Sequence, residues 1–131
     1  MRYLVDSDWI IDALVGIPVA LDTLARLSSD GLAVSIVTIG EVLEGAYLLP
    51  DPTPDLDAFR RFLNGFTVLP LTEPIMEEIA RHRAILRRQG MLIPDLDLLI
   101  GATALSFELT LLTRNLRHFA RLSDLEIYRP G

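Results

Sequence analysis

The sequence predicts an α/β layered fold around a mainly parallel sheet, on three observations. Short β-prone apolar runs alternate with longer helix-forming stretches, an order that favours parallel pairing with helices packed against the sheet. Acidic residues fall just beyond several of those runs, where open parallel sheets form their sites. Half of the 131 residues are hydrophobic, enough to close a core, so one compact domain over residues 1–131 is expected.

The first run is Tyr3-Leu4-Val5, ending in Asp6-Ser7-Asp8. Trp9-Ile10-Ile11 and Ala13-Leu14-Val15 follow, so we expect a buried strand, an acidic turn and a helix. Gly16-Ile17-Pro18 breaks the pattern. Val19 to Ser28 then reads as an amphipathic helix with Leu21, Leu24, Ala25 and Leu27 inward, closed by Asp30-Gly31. Leu32 to Val37 is the second strand, and Thr38-Ile39-Gly40-Glu41 has the capping-box spacing at the start of a helix running to about Leu49.

Pro50 to Pro54 is a proline-rich loop. A helix over Asp55 to Asn64, a strand over Phe66 to Leu69 and a helix from about Glu73 to Gln89 come next, the last stopped by Gly90. The most informative stretch is Ile93 to Leu105. Pro94 suits a first helical turn, Asp95 suits an N-cap, and Leu98 to Leu105 carries no charge, so this helix is expected to be buried nearly all round. Its free N–H groups and the positive end of its dipole favour ionised carboxylates at Asp95 and Asp97. Thr110-Leu111-Leu112 is a strand leading into Thr113-Arg114-Asn115-Leu116-Arg117-His118-Phe119, and Glu126-Ile127-Tyr128 is read as a final edge strand.

Composition excludes several chemistries. There is no cysteine, hence no disulfide, thiolate metal site or cysteine nucleophile. All 12 basic residues are arginine, which removes Schiff-base lysines, the Walker-A lysine and Ser-Lys dyads. The apolar runs fall short of the roughly 20 residues that span a bilayer, and Met1 to Asp6 lacks a signal peptide's apolar region, so a cytoplasmic protein is expected. A net charge of −6 argues in general against nucleic-acid binding. Acids that converge on divalent cations reverse that argument locally.

Asp6, Glu41 and Asn115 fall beyond strand ends, and Asp97 falls at the start of the helix before the last major strand. Three carboxylates so separated in sequence, brought to one sheet edge, suit Mg²⁺ or Mn²⁺, which take hard oxygen ligands and keep several waters. One or two such ions activate a water and stabilise the leaving oxygen of a phosphodiester. Asn115 can supply a carbonyl ligand or hold a water, and Ser7 or Thr113 can hydrogen-bond a ligating carboxylate. Arg114, Arg117 and Arg121 lie beside this set as candidate phosphate contacts. Each residue also has a structural reading: Asp6 or Ser7 as a cap, Glu41 as the partner of Thr38 in a capping box, Asp95 as an N-cap, and the histidines His82 and His118 as surface or satisfied groups.

Four blocks in order carry a resemblance: Leu4-Val5-Asp6-Ser7-Asp8-Trp9-Ile10-Ile11; Ser35 to Gly45 with Glu41; Asp97-Leu98-Leu99-Ile100-Gly101-Ala102-Thr103-Ala104; and Leu112-Thr113-Arg114-Asn115 with Phe119. Together they resemble the PIN-domain family, and more narrowly the VapC toxins of type II toxin–antitoxin systems. The resemblance covers nearly the whole chain. It implies a three-layer α/β/α fold with a mainly parallel central sheet of about 4–5 strands. It also implies a Mg²⁺- or Mn²⁺-dependent endoribonuclease that inhibits translation by cutting RNA, tRNA or rRNA, with Asp6, Glu41 and Asp97 at the positions of the family's metal-binding acids. A homodimer and a VapB-type antitoxin that blocks the site complete the expectation. This chain departs from many relatives in having Asp8 where they carry asparagine and His118 where they carry a fourth acid. Asp95, Asp8 or Asn115 with water are the candidates to make up for that acid.

Two other readings stand beside this one. An apolar strand followed by Asp6-Ser7-Asp8 also resembles the nucleophile motif of haloacid-dehalogenase-type phosphatases, with Asp6 phosphorylated and Asp8 as acid/base, although the chain is short for that fold and has no lysine. The non-enzymatic alternative is a catalytically silent PIN-like binding domain whose acids serve only as caps.

Overall fold

The computed structural model describes residues 1–130. Four strands, β1 (Tyr3–Val5), β2 (Leu32–Ser35), β3 (Phe66–Leu69) and β4 (Thr110–Leu112), form a wholly parallel sheet in the order β3-β2-β1-β4. Helices α1 (Ser7–Leu14), α2 (Pro18–Leu27), α3 (Ile36–Tyr47), α4 (Thr53–Phe62), α5 (Glu73–Arg88), α6 (Asp95–Ser106) and the single turn α7 (Leu116–Phe119) connect and flank them.

Side chains alternate across the sheet because the strand repeat is two residues. Tyr3 and Val5 enter a cluster with Trp9, Ile10, Leu24, Val34 and Phe59, which α1 to α4 cover. Leu4 enters the opposite cluster with Ile75, Leu86, Leu98, Leu111 and Phe119, which α5 to α7 cover. The result is the expected three-layer α/β/α arrangement. Leaving β1, the chain first builds outward through β2 and β3, then returns to add β4 on the other side of β1. The sheet therefore has its switch point between β1 and β4, and a crevice opens there beyond the strands' carboxyl ends.

Helix α6 is buried on every side at Leu98, Ile100, Gly101, Ala102, Thr103 and Ala104. It can lie so close to the segment that follows α7 because Gly101 has no side chain: a Cβ there would sit 2.4 Å from Leu122 Cδ1. Gly90 ends α5 as expected, at the positive φ of 67° that a side chain resists.

Several local expectations are corrected. Helix α3 starts at Ile36, with Ser35 as the N-cap whose Oγ accepts from the Val37 N–H at 3.0 Å. The Thr38–Glu41 capping box is therefore not formed. Asp95 is not the cap of α6. Pro94 holds that position, and the exposed Asp95 carboxylate instead pairs with Arg83 of α5 at 3.3 Å. In α2 the inward residues are Ala20, Thr23, Leu24 and Leu27, while Leu21 is largely exposed and Ala25 faces out as well. The expected edge strand at Glu126–Tyr128 is reduced to one parallel bridge, Leu111 to Ile127.

Candidate active site

The first acid is placed by β1. Asp6 follows the strand and caps α1, and its backbone N–H continues the ladder to the Leu112 carbonyl at 2.9 Å. Its Oδ1 accepts from the Ser7 N–H and its Oδ2 from the Thr113 hydroxyl, both at 2.8 Å. Thr113 follows β4, so this bond spans the switch-point crevice. Asp8 lies one step further out, accepting from its neighbour Trp9 N–H and from the Arg114 N–H, each at 2.7 Å.

Asp97 enters from α6. With Asp95 turned toward α5, Asp97 is the acid of that helix's first turn that faces inward, with a side chain 17 % exposed. Its Oδ2 accepts from Asn115 Nδ2 at 3.0 Å and lies 2.6 Å from His118 Nδ1. Asn115 in turn donates its backbone N–H to Thr113 Oγ1 at 3.1 Å. One run of hydrogen bonds thus joins Asp6, Thr113, Asn115 and Asp97.

Glu41 comes from α3. Freed from the capping box, its carboxylate carries a buried Oε1 with no hydrogen-bond partner among the described residues. Desolvation raises its carboxyl to about 7, with Asp6, Asp97, Asp8 and Glu44 adding to the rise. Asp6 is raised to about 6, chiefly by burial and by Asp8, with a smaller push from Asp97, while its bonds from Thr113 and Ser7 pull the other way. Asp6 and Glu41 therefore both feel the charge of Asp97, and Glu41 that of Asp6 as well; a pair of acids so placed resists double ionisation unless a cation offsets it.

Among the described residues no three acids or histidines are drawn together tightly enough to make a closed metal cage. The donor set nonetheless fits a hard divalent ion. It consists of carboxylate oxygens from three elements, one of them buried without a partner. An ion such as Mg²⁺ keeps several of its own waters and binds through few protein ligands.

Around this set the structure divides the remaining candidates. The side chains of Thr113, Asn115 and His118 all reach the acids, whereas Ser7 meets Asp6 through its backbone N–H and not through its hydroxyl. Asp95 does not, and so it is no replacement for the fourth acid. Of the three arginines, Arg114 stacks on Trp9, 4.8 Å from its ring centroid, and pairs with Asp12; Arg121 donates to the Met91 and Leu92 carbonyls. Arg117 is exposed and makes no side-chain hydrogen bond among the described residues. Asp12 and Glu44 were not singled out from sequence. Asp12 lies four residues after Asp8 and Glu44 three after Glu41, the spacings that share a helix face, which is the signal that could have found them.

A phosphatase nucleophile has to admit a bulky phosphomonoester to its carboxylate. Asp6 is 5 % exposed and both its oxygens already accept hydrogen bonds. That placement disfavours the phosphatase reading.

Fold and site together define a parallel α/β/α protein with its acids gathered at the sheet's carboxyl edge. The model of the PIN domain matches residues 3–125, and the chain belongs to the PIN-domain family. It is 36 % identical over 124 residues to ribonuclease VapC10 of Mycobacterium tuberculosis (strain ATCC 25618 / H37Rv), covering 94 % of this chain and 90 % of that one. Over 128 residues it is 29 % identical to ribonuclease VapC1 of Haemophilus influenzae (strain R2866), covering 96 % of each. Among solved structures it resembles VapBC-1 from nontypeable Haemophilus influenzae, with a TM-score of 0.86 and 27 % identity over 98 % of this chain and 97 % of that one. It also shares the fold of VapBC2 from Rickettsia felis bound to a promoter DNA fragment, with a TM-score of 0.92 and 20 % identity over the whole of both chains.

Proposed function

We propose that this chain is the toxin of a VapBC-type toxin–antitoxin pair, an endoribonuclease that requires Mg²⁺ or Mn²⁺ and inhibits translation by hydrolysing phosphodiester bonds of tRNA or rRNA. The observation that carries the proposal is the meeting of Asp6, Glu41 and Asp97 at the switch point, where burial and neighbouring acids raise the proton affinity of Asp6 and Glu41 and where Glu41 keeps a buried oxygen without a partner among the described residues. The relatives named ribonuclease VapC support the class of reaction.

Asp6, Glu41 and Asp97 would hold the ion. When bound, it supplies an activated water for in-line attack and offsets the charge that builds on the phosphoryl oxygens. The chain's own groups do the positioning. Thr113 and the Ser7 N–H orient the Asp6 carboxylate, Asn115 orients Asp97, and the Asp12 pair with Arg114 holds the rim of the crevice beside Trp9. Arg117, exposed on α7 beside Asn115, is the group placed to meet a phosphate of a single-stranded RNA segment.

The partner follows from the surface as well as from relatives solved as VapBC complexes. Ile11, Leu14, Val15 and Leu49 line an apolar groove between α1, α3 and α4. An antitoxin segment laying apolar side chains there, with an arginine reaching the acids, would cover the site. The proposed toxin acts in the cytoplasm as a homodimer. Among the described residues no helix is long and apolar enough to cross a membrane.

The test is cleavage of total cellular RNA by purified, antitoxin-free protein with Mg²⁺, Mn²⁺ or EDTA, beside the variant Asp97→Asn. Discrete fragments that need metal, and that are lost in a variant melting like the wild type, are the expected result. Hydrolysis of a phosphomonoester unaffected by Asp97→Asn would move the phosphatase reading ahead. Inactivity on both substrates, with no metal bound, would leave a binding domain in a nuclease's fold.

A further inference from the structure

We propose that His118 is a positioning residue and not a ligand: its Nδ1–H clamps Oδ2 of Asp97, so that Oδ1 is the oxygen offered to the divalent ion. This deepens the metal-dependent reading above and rests on it.

His118 Nδ1 lies 2.6 Å from Asp97 Oδ2 and 2.8 Å from Asn115 Nδ2. A carboxylate oxygen only accepts and an amide NH₂ only donates, so this nitrogen can serve one of them and not both. Two acceptors without a proton between them repel at 2.6 Å, whereas that length suits a charge-assisted bond. The proton therefore sits on Nδ1 and points at Asp97. Asn115 is not left without an acceptor, because its Nδ2 lies 3.0 Å from the same Oδ2. Oδ2 thus receives two donors, one for each lone pair, while Oδ1 accepts no hydrogen bond among the described residues.

The clamp is held from behind. His118 belongs to α7, whose Phe119 is fully buried next to Gly101 of α6, the helix that carries Asp97. Asn115 is anchored through its N–H to Thr113, which also bonds Asp6. A nitrogen donating its proton has no lone pair for a metal, so Nδ1 is not a ligand in this arrangement. The competing arrangement binds the ion through Nε2, with Asp97 reduced to the outer partner of the imidazole.

The experiment adds Mn²⁺ to the full chain freed of metal. Pulsed EPR reads imidazole nitrogen coupling to the ion, and calorimetry reads Mn²⁺ affinity for wild type, His118→Ala and His118→Asn. The clamp predicts no imidazole coupling in the wild type and a fall of about 10–100-fold in affinity for His118→Ala, the usual cost of removing the partner of a ligating group. His118→Asn, whose amide can donate from nearly the same place as Nδ1, should recover most of that loss. Imidazole coupling in the wild type that disappears in His118→Ala would overturn the clamp alone, leaving the nuclease reading intact. Unchanged affinity in His118→Ala would also overturn it. A wild type that binds no Mn²⁺ would overturn both the clamp and the metal-dependent reading.

Discussion

Replacing Asp6 by asparagine exchanges a carboxylate for an amide of the same shape at a position only 5 % exposed. Burial, helped by Asp8, raises this carboxyl from 3.8 to about 6. At ~1.4 kcal/mol per tenfold change in proton affinity, the ionised form at pH 8 is about 3 kcal/mol less favourable in the folded chain than in the unfolded one. The folded chain holds the proton more tightly, so stability from this group is full below the ordinary carboxyl value and is lost as pH rises through about 6. Asparagine does not titrate. Its Oδ1 keeps the Ser7 bond, but its NH₂ faces a Thr113 hydroxyl that now donates to Asp6, a loss of about 1–2 kcal/mol. In EDTA the variant should therefore be about 1–2 kcal/mol more stable than wild type at pH 8 and about 0.5–1.5 kcal/mol less stable at pH 4, where the unfolded chain has begun to ionise. Urea denaturation at both pH values checks this. An equal stability difference at pH 4 and pH 8 would refute the claim that burial and crowding of charge strain this acid.

Protons and metal compete for the same oxygens, so Mn²⁺ affinity measured by calorimetry should climb as pH rises through about 6 and about 7, the values for Asp6 and Glu41; a flat profile would count against those acids as ligands. Gly101→Ala places a Cβ 2.4 Å from Leu122 Cδ1 and 3.5 Å from Phe119 Cδ1. Overpacking at ~1–3 kcal/mol outweighs the gain of about 1 kcal/mol in helix propensity, so the variant should lose about 1–2 kcal/mol and, as α7 shifts, weaken Mn²⁺ binding. Arg114→Ala removes the stack on Trp9 and the pair with Asp12 at the surface; a loss of about 1 kcal/mol is expected, with a change in the emission of the sole tryptophan that denaturation and fluorescence would detect.

Much of the fold was legible because it is written in neighbouring residues. The strands at Tyr3–Val5 and Thr110–Leu112 and the uncharged run from Leu98 to Leu105 were read from local pattern and stand in the structure. Boundaries set by competing caps were not. Ser35 and Thr38 both suit an N-cap, and the choice fell to Ser35 because β2 ends there. For Leu21 and Ala25 the helical period was right and the phase was wrong, since the phase is set by what α2 packs against. The edge strand at Glu126–Tyr128 shrank to one bridge, a matter of pairing that no property of those three residues reveals.

The same division runs through the site. The sequence by itself determined that acids would stand at the ends of strands and at the mouth of an apolar helix, because strand ends and helix starts follow from periodicity and turn chemistry. It also determined that any metal would meet oxygen or imidazole, since the chain has no cysteine. Only the tertiary structure decided which acids meet. Asp95 and Asp97 are two residues apart on one helix and so point roughly 200° apart around its axis. Packing of α6 between α5 and α7 turned Asp95 out to Arg83 and Asp97 in toward Asn115 and His118. Glu41 likewise became free to face Asp6 when Ser35 took the cap. Orientation about a helix axis costs nothing locally, and it is decided by the surfaces between which the helix is buried.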